Sequence, residues 1–397
     1  MRLATRARNI SASPTLAMNA RAKEMVEQGI DVLSFTVGEP DFNTPDHIAA
    51  AGIEAIRDGF TRYTPSAGIQ NLKTAICTKL RRDNKLDYNP ADVVVSNGAK
   101  HSIYNALQAL IEDGDEVIVP APYWVSYTEM IKLNEGTPVV IPTTAANGFK
   151  LIPEQLKTII TDRTKAIFIN SPNNPTGAVY SRAELERLAE ILVSHKIIII
   201  ADEVYEKLLY DGAVFTSVAA LGPEIKGQTV TINGVSKTYA MTGWRIGYAA
   251  APRVLAKAMA NIQSHATSNP NAIAQKAAVT ALLGDQTPVK RMLAEFTHRR
   301  ERMVKGIAAI PGMNCRKPEG AFYVFAQVAE LFGKTVRGQK INSSMDLAEL
   351  LLQEAHVALV PGAAFGDDAF VRFSYATSMD VIEEGLKRVK EVLSEAK

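Results

Sequence analysis

Short runs of β-branched and aliphatic residues recur along the first two thirds of the chain, each closed by small or polar residues and most followed by a stretch with helical spacing. Strands are expected near 92–96, 116–120, 138–142, 165–170, 197–201, 229–233 and 246–250. Helices are expected at 99–112, 123–133 and 181–194. Continuous runs such as Ile197-Ile-Ile-Ile-Ala201 are apolar on both faces, as a strand covered from both sides must be. The alternation predicts an α/β fold, a mostly parallel seven-stranded sheet flanked by helices. After Pro252 the pattern turns helical, with a long charged helix at 287–308. It ends in strands near 321–326, 357–360 and 370–374 and helices at 345–355 and 379–396, which predict a smaller α+β domain. Residues 331–346, rich in Gly, Lys and Ser, read as a solvated loop.

At 397 residues the chain has the length for two domains, and 47% hydrophobic with 22% charged residues is the composition of a globular protein. The formal net charge of +2, with both signs interspersed, gives no field for nucleic acid. No apolar run approaches a membrane span, and the basic start Met1-Arg-Leu-Ala-Thr-Arg-Ala-Arg8 lacks the apolar segment of a secretory signal. Two cysteines far apart, Cys77 and Cys315, point to reduced thiols and a cytoplasmic protein. The six histidines never fall at metal-ligand spacing with Cys or carboxylates, so no metal is expected. Neither Gly-x-Gly-x-x-Gly nor a Gly-x-x-x-x-Gly-Lys-Ser/Thr loop is present, which disfavours dinucleotide and nucleotide chemistry.

The candidate chemistry gathers where these strands end. Lys237 follows strand 229–233 and the turn at Gly234, a placement from which an amine can hold a carbonyl cofactor covalently. Asn170-Ser-Pro-Asn-Asn-Pro-Thr-Gly177 and Asp202-Glu-Val-Tyr205 each follow a buried strand, on the edge where open α/β sheets bind ligands. Gly98-Ala-Lys100 opens a helix after strand Val93–Val95, and Arg245 lies eight residues beyond Lys237. A phosphate is therefore offered backbone N–H groups and a guanidinium together.

Taken in order, this set resembles the class I and II aminotransferases of fold type I, which depend on pyridoxal phosphate (PLP). The most specific pieces are Ser171-Pro-Asn-Asn-Pro-Thr-Gly177, Asp202-Glu-Val-Tyr205, Ser236-Lys237 with Met241-Thr-Gly-Trp-Arg-Ile-Gly247, and Val371-Arg-Phe-Ser-Tyr375. Gly38-Glu-Pro-Asp-Phe42 and Pro122-Tyr-Trp124 are similar to the bacterial aspartate and aspartate/prephenate subgroup. The resemblance implies Lys237, Asp202 and Tyr205 as the catalytic set. Asp202 would pair with the pyridine nitrogen, Asn174 and Tyr205 would bond its phenolic oxygen, and Trp124 would stack on the ring. The phosphate would meet Gly98, Ala99, Lys100, Ser236, Arg245 and, from a second subunit, Tyr63. Many relatives carry a further serine where this chain has Gly234, which implies fewer phosphate contacts there.

For the substrate, the resemblance implies that Arg372 clamps the α-carboxylate, helped by the Gly38 N–H, with Trp124 and Asn174 beside it. Thr15 and Lys100 stand where relatives recognise a second carboxylate, which implies L-aspartate or L-glutamate with their 2-oxo acids, and leaves prephenate open. It also implies a homodimer with shared sites, an N-terminal arm at 1–14 reaching the partner, a large domain at 45–286, and a small domain from 15–44 with 287–397. Two readings compete: an aromatic- or alanine-type aminotransferase or PLP-dependent C–S lyase on the same scaffold, and a regulatory protein using the domain as a ligand sensor. The sensor normally carries an added DNA-binding domain, for which this chain has no room.

Overall fold

The computed structural model describes residues 3–8, 10 and 14–397, without the side chains of 14–16. Seven strands form the central sheet: β1 (Val93–Asn97), β2 (Glu116–Ala121), β3 (Thr137–Pro142), β4 (Thr164–Asn170), β5 (Ile198–Asp202), β6 (Thr229–Gly234) and β7 (Ile246–Ala250). Their order is β1-β7-β6-β5-β4-β2-β3, and β7 alone runs antiparallel to its neighbours. Both faces are apolar, as the uninterrupted runs require. Val94, Ile232 and Ala249 pack on one side, while Val93, Val95 and Tyr248 pack on the other. Helices close both faces. Helix Arg182–Ser194 opens on a capping box in which Ser181 and Glu184 satisfy each other's backbone N–H, worth about 1 kcal/mol.

Beyond the sheet, helix Thr287–Ala308 leads into a four-stranded antiparallel sheet of β8 (Asn314–Cys315), β9 (Tyr323–Gln327), β10 (Val360–Pro361) and β11 (Phe370–Ser374), ordered β10-β11-β9-β8. The N-terminal segment belongs with this part of the molecule. Met18, Ala22 and Phe35 share its core, Leu33–Ser34 pairs in parallel with Val357–Ala358, and Arg299 binds Asp41 at 2.6 Å. In the short helix Thr5–Arg8, Arg6 lies 3.6 Å from Glu135.

Two expectations are corrected. The helix expected from 123 begins at Ser126, so Trp124 stands in the turn before it, at the sheet edge. Residues 331–346 are not a plain solvated loop. Thr335–Val336 pairs with Gln339–Lys340, Val336 and Ile341 are buried, and the backbone of Thr335 exchanges hydrogen bonds with Lys397. Two buried aliphatic side chains, hidden among polar residues in the sequence, hold this hairpin down.

Candidate active site

Asn97, Asn170, Asp202 and Gly234 end their strands on one edge of the sheet, and β7 begins there because it runs the other way. The connection from β6 to β7 therefore stays on that edge and carries Ser236, Lys237 and Arg245. The backbone of β7 passes close to Gly234: a Cβ there would lie 3.0 Å from the Ile246 carbonyl and 3.1 Å from Gly247 Cα.

The Lys237 amine donates to the carbonyl of Gly38 at 2.5 Å, and it lies 6.0 and 5.9 Å from the ring centroids of Tyr205 and Phe322. Burial lowers its pKa to about 8; Glu39 opposes that shift, Arg245 and Arg372 add to it, and Asp202 opposes it. Asp202 is 4% exposed. Its Oδ2 accepts from the Tyr127 hydroxyl at 2.6 Å and its Oδ1 from the Val204 N–H at 3.4 Å. Burial raises the carboxyl's pKa against these hydrogen bonds and the Lys237 charge. Asn170 donates to the Asp202 carbonyl at 2.9 Å and accepts from the Asn174 N–H at 2.9 Å, which ties the ends of β4 and β5 together.

Arg372 is 3% exposed. It donates to Asn174 Oδ1 at 3.0 Å and to the Thr36 carbonyl at 2.7 Å, while its Nε is buried without a partner. Its guanidinium lies 4.4 Å from the Tyr323 ring centroid and 5.0 Å from that of Phe365. Gly38 presents its carbonyl to Lys237, and a Cβ on it would fall 2.9 Å from the Tyr323 hydroxyl.

At the other end, helix Ala99–Leu110 starts from Gly98 at φ +87, a left-handed conformation suited to glycine. Arg245, itself at φ +57, donates to the carbonyls of Thr242 at 2.9 Å and Asn97 at 3.3 Å. A Cβ on Gly98 would lie 2.2 Å from Arg245 Nη2, and one on Gly247 would lie 2.1 Å from the Ala99 nitrogen. Glycine alone permits this concavity. Lys100 lies 4.7 Å over the Trp124 ring, and burial followed by the Arg245 charge lowers its pKa. Trp124 in turn meets Tyr127 edge-on at 5.5 Å.

Thus Lys237, Asp202, Tyr205, Asn174, Arg372, Gly38, Trp124, Lys100, Arg245, Gly98 and Ala99 are joined by contacts along one edge, with Ser236 on the same connection. Tyr63, expected to act from a second subunit, is 92% exposed in the single chain. The Thr15 side chain lies outside the described residues. Two neighbours escaped the sequence reading, Tyr127 beneath Asp202 and Tyr323 beside Arg372, while Asn170 stood in a motif of the sequence without a role of its own. Tyr127 sits three residues after Trp124, a helical spacing that signals a shared surface, but Tyr323 carries no comparable local signal.

Comparison with known proteins agrees with this geometry. Residues 30–389 match the family described as aminotransferase class I and II. The chain is 50% identical over 389 residues to an aspartate aminotransferase of Geobacillus stearothermophilus, covering 98% of both. It is 47% identical over 390 residues to a probable aspartate/prephenate aminotransferase of Rickettsia bellii, again covering 98% of both. The crystal structure of an aspartate aminotransferase from Rhizobium meliloti superposes with a TM-score of 0.97 at 45% identity over the full length of both chains. On the family match over residues 30–389 and on these full-length relatives, the chain belongs to the class I and II aminotransferases.

Proposed function

We propose that this aminotransferase is a pyridoxal-phosphate enzyme that exchanges the amino group of L-aspartate or L-glutamate with 2-oxo acids such as oxaloacetate and 2-oxoglutarate. The two half-reactions run in ping-pong order in a cytoplasmic homodimer. In this reading residues 45–286 form the cofactor domain, 15–44 with 287–397 the closing domain, and 1–14 an arm toward the partner. One observation carries it: Lys237 and Arg372 converge on one short segment, the amine on the Gly38 carbonyl and the guanidinium on the Thr36 carbonyl two residues away. An α-amino acid carries a nitrogen and a carboxylate on one carbon, and the amine and the guanidinium that would meet them are held beside the same segment.

The residues fit the cofactor. The concavity at Gly98, Gly247 and Arg245 suits its phosphate, with Ala99, Lys100, Ser236 and the partner's Tyr63 completing the set. Asp202 would hold the ring nitrogen, Asn174 and Tyr205 its phenolic oxygen, and Trp124 its face. When bound, pyridoxal phosphate supplies a carbonyl for the substrate's nitrogen and a ring that withdraws electrons from Cα.

The rest is done by side chains. Lys237 would hold the cofactor at its carbonyl carbon, and as a free amine it would take the proton from the substrate Cα. A pKa near 8 leaves a useful neutral fraction at physiological pH. Arg372 takes the α-carboxylate through a fork that lysine cannot present, its unpartnered Nε being one available donor, and the Gly38 N–H assists. Lys100, with Thr15, favours a second carboxylate. The names of the Geobacillus and Rickettsia relatives support aspartate as donor and prephenate as a further acceptor.

The test is to load the purified protein with pyridoxal phosphate and add L-aspartate, L-glutamate, L-alanine or L-phenylalanine singly, following the cofactor's absorbance. Rapid change with the two acidic amino acids alone is expected. A change mainly with alanine or phenylalanine would overturn the acidic specificity. Pyruvate released from cysteine-type substrates without a 2-oxo acid would replace this reading with a lyase.

A further inference from the structure

Gly320-Ala-Phe-Tyr323 leads into β9, where Phe325 stands opposite Arg372 of β11, so Tyr323 is the diagonal neighbour on the same face. The Tyr323 side chain is 1% exposed and serves two groups at once. Its ring lies 4.4 Å from the Arg372 guanidinium, and its hydroxyl lies 2.8 Å from the hydroxyl of Tyr205. The absence of a side chain at Gly38 leaves room for that hydroxyl.

The direction of the Tyr205–Tyr323 hydrogen bond follows from counting protons. Tyr205 has a single O–H. If it is donated to the cofactor's phenolic oxygen, the Tyr205 oxygen must accept from Tyr323. A phenol that accepts a hydrogen bond becomes a stronger donor in turn, by polarisation along the chain of bonds. Tyr205 is otherwise faced by Arg372, by Asp202, and by the Lys237 amine 6.0 Å from its ring. Among these, Tyr323 alone touches its hydroxyl.

We propose that Tyr323 is a positioning residue that joins the two ends of the site: its hydroxyl turns the Tyr205 O–H toward the cofactor, and its ring holds the Arg372 guanidinium for the substrate's carboxylate. This rests on the pyridoxal-phosphate reading above. Donation from Tyr205 stabilises negative charge on the cofactor's phenolic oxygen, so weaker donation lets the bound cofactor keep its proton to higher pH.

The experiment is an absorbance titration of the loaded protein against pH without substrate, repeated with the unreactive dicarboxylate succinate. It compares the native protein with Tyr323→Phe and Tyr323→Leu. In Tyr323→Phe, which keeps the ring, the midpoint is expected to rise by about half a unit while succinate affinity stays near native. Tyr323→Leu is expected to show the same rise and about five-fold weaker succinate binding, from loss of the aromatic support. A Tyr323→Phe titration that overlays the native curve would overturn the proposal while leaving the cofactor reading intact. A native protein that takes up no pyridoxal phosphate would remove both. The phenylalanine variant loses one hydroxyl from an otherwise unchanged core, so its titration decides the matter even if the leucine variant fails to fold.

Discussion

Tyr127 holds Asp202 from behind, its hydroxyl 2.6 Å from Oδ2 while its ring stacks on Phe168 at 4.2 Å and an interplanar angle of 15°. The carboxylate is thus aimed before any ligand arrives. Tyr127→Phe keeps the stacking and removes the donor. Pyridoxal phosphate affinity is expected to fall about ten-fold, by loss of one charge-assisted hydrogen bond, with the melting temperature little changed. Fluorescence titration of the cofactor-free protein measures this.

In the proposed mechanism, Lys237→Ala removes both the amine that would hold the cofactor and the base that would move the Cα proton. Turnover with aspartate is expected to drop by roughly four orders of magnitude or more, while the variant still takes up pyridoxal phosphate through the phosphate cradle and Asp202. Near-native turnover would sink the assignment of Lys237.

Arg372→Lys retains charge and loses the planar fork. The Michaelis constant for L-aspartate is expected to rise about 100-fold, equivalent to about 3 kcal/mol of charge-assisted hydrogen bonding, with a smaller effect on kcat. Steady-state kinetics at saturating 2-oxoglutarate would separate the two.

The Lys237 amine has its pKa lowered from 10.5 to about 8, chiefly by burial. Its charged form therefore burdens the cofactor-free fold, by no more than about 3 kcal/mol. The sign follows from proton counting: between pH 8 and 10.5 the unfolded chain binds the extra proton, so stability rises with pH across that window. Below pH 8 the burden is fully present. Lys237→Met is expected to melt a few degrees above the native cofactor-free protein at pH 7, with the gap closing toward pH 10. Calorimetry of the two at both pH values checks this.

Gly247→Ala would drive a methyl group to 2.1 Å from the Ala99 nitrogen, against backbone that cannot yield cheaply. A loss of roughly 2–4 kcal/mol in stability and at least ten-fold weaker cofactor uptake are expected. Denaturant melts and equilibrium dialysis report the two effects.

The seven strands were legible largely because runs such as Val93–Val95 and Ile197–Ala201 are short, β-branched and apolar on both faces. Their order was not. An apolar run looks the same in either direction, so nothing local marks β7 as the antiparallel strand set between β1 and β6. The site was legible where residues cluster in short motifs, as at Ser236-Lys237 and Asp202–Tyr205. It was illegible where a buried tyrosine acts across the fold. Tyr127 reaches Asp202 from 75 residues away, and Tyr323 reaches Tyr205 from 118, and both read as ordinary core aromatics. The hairpin at 335–340 was missed for a similar reason, since besides its two buried aliphatic side chains it is tied to Lys397, far away in sequence.

The reversed strand also sets a length. Because β6 leaves and β7 enters on the same side of the sheet, residues 235–245 act as a ruler fixed at both ends, with the Lys237 amine and the Arg245 guanidinium as two marks on it. Adding or deleting one residue there would move one mark against the other and put the ring and phosphate of a single bound molecule out of step. This connection is therefore where the chain tolerates no change of length, whereas the docked hairpin tip at Arg337–Gly338 can vary without disturbing that spacing.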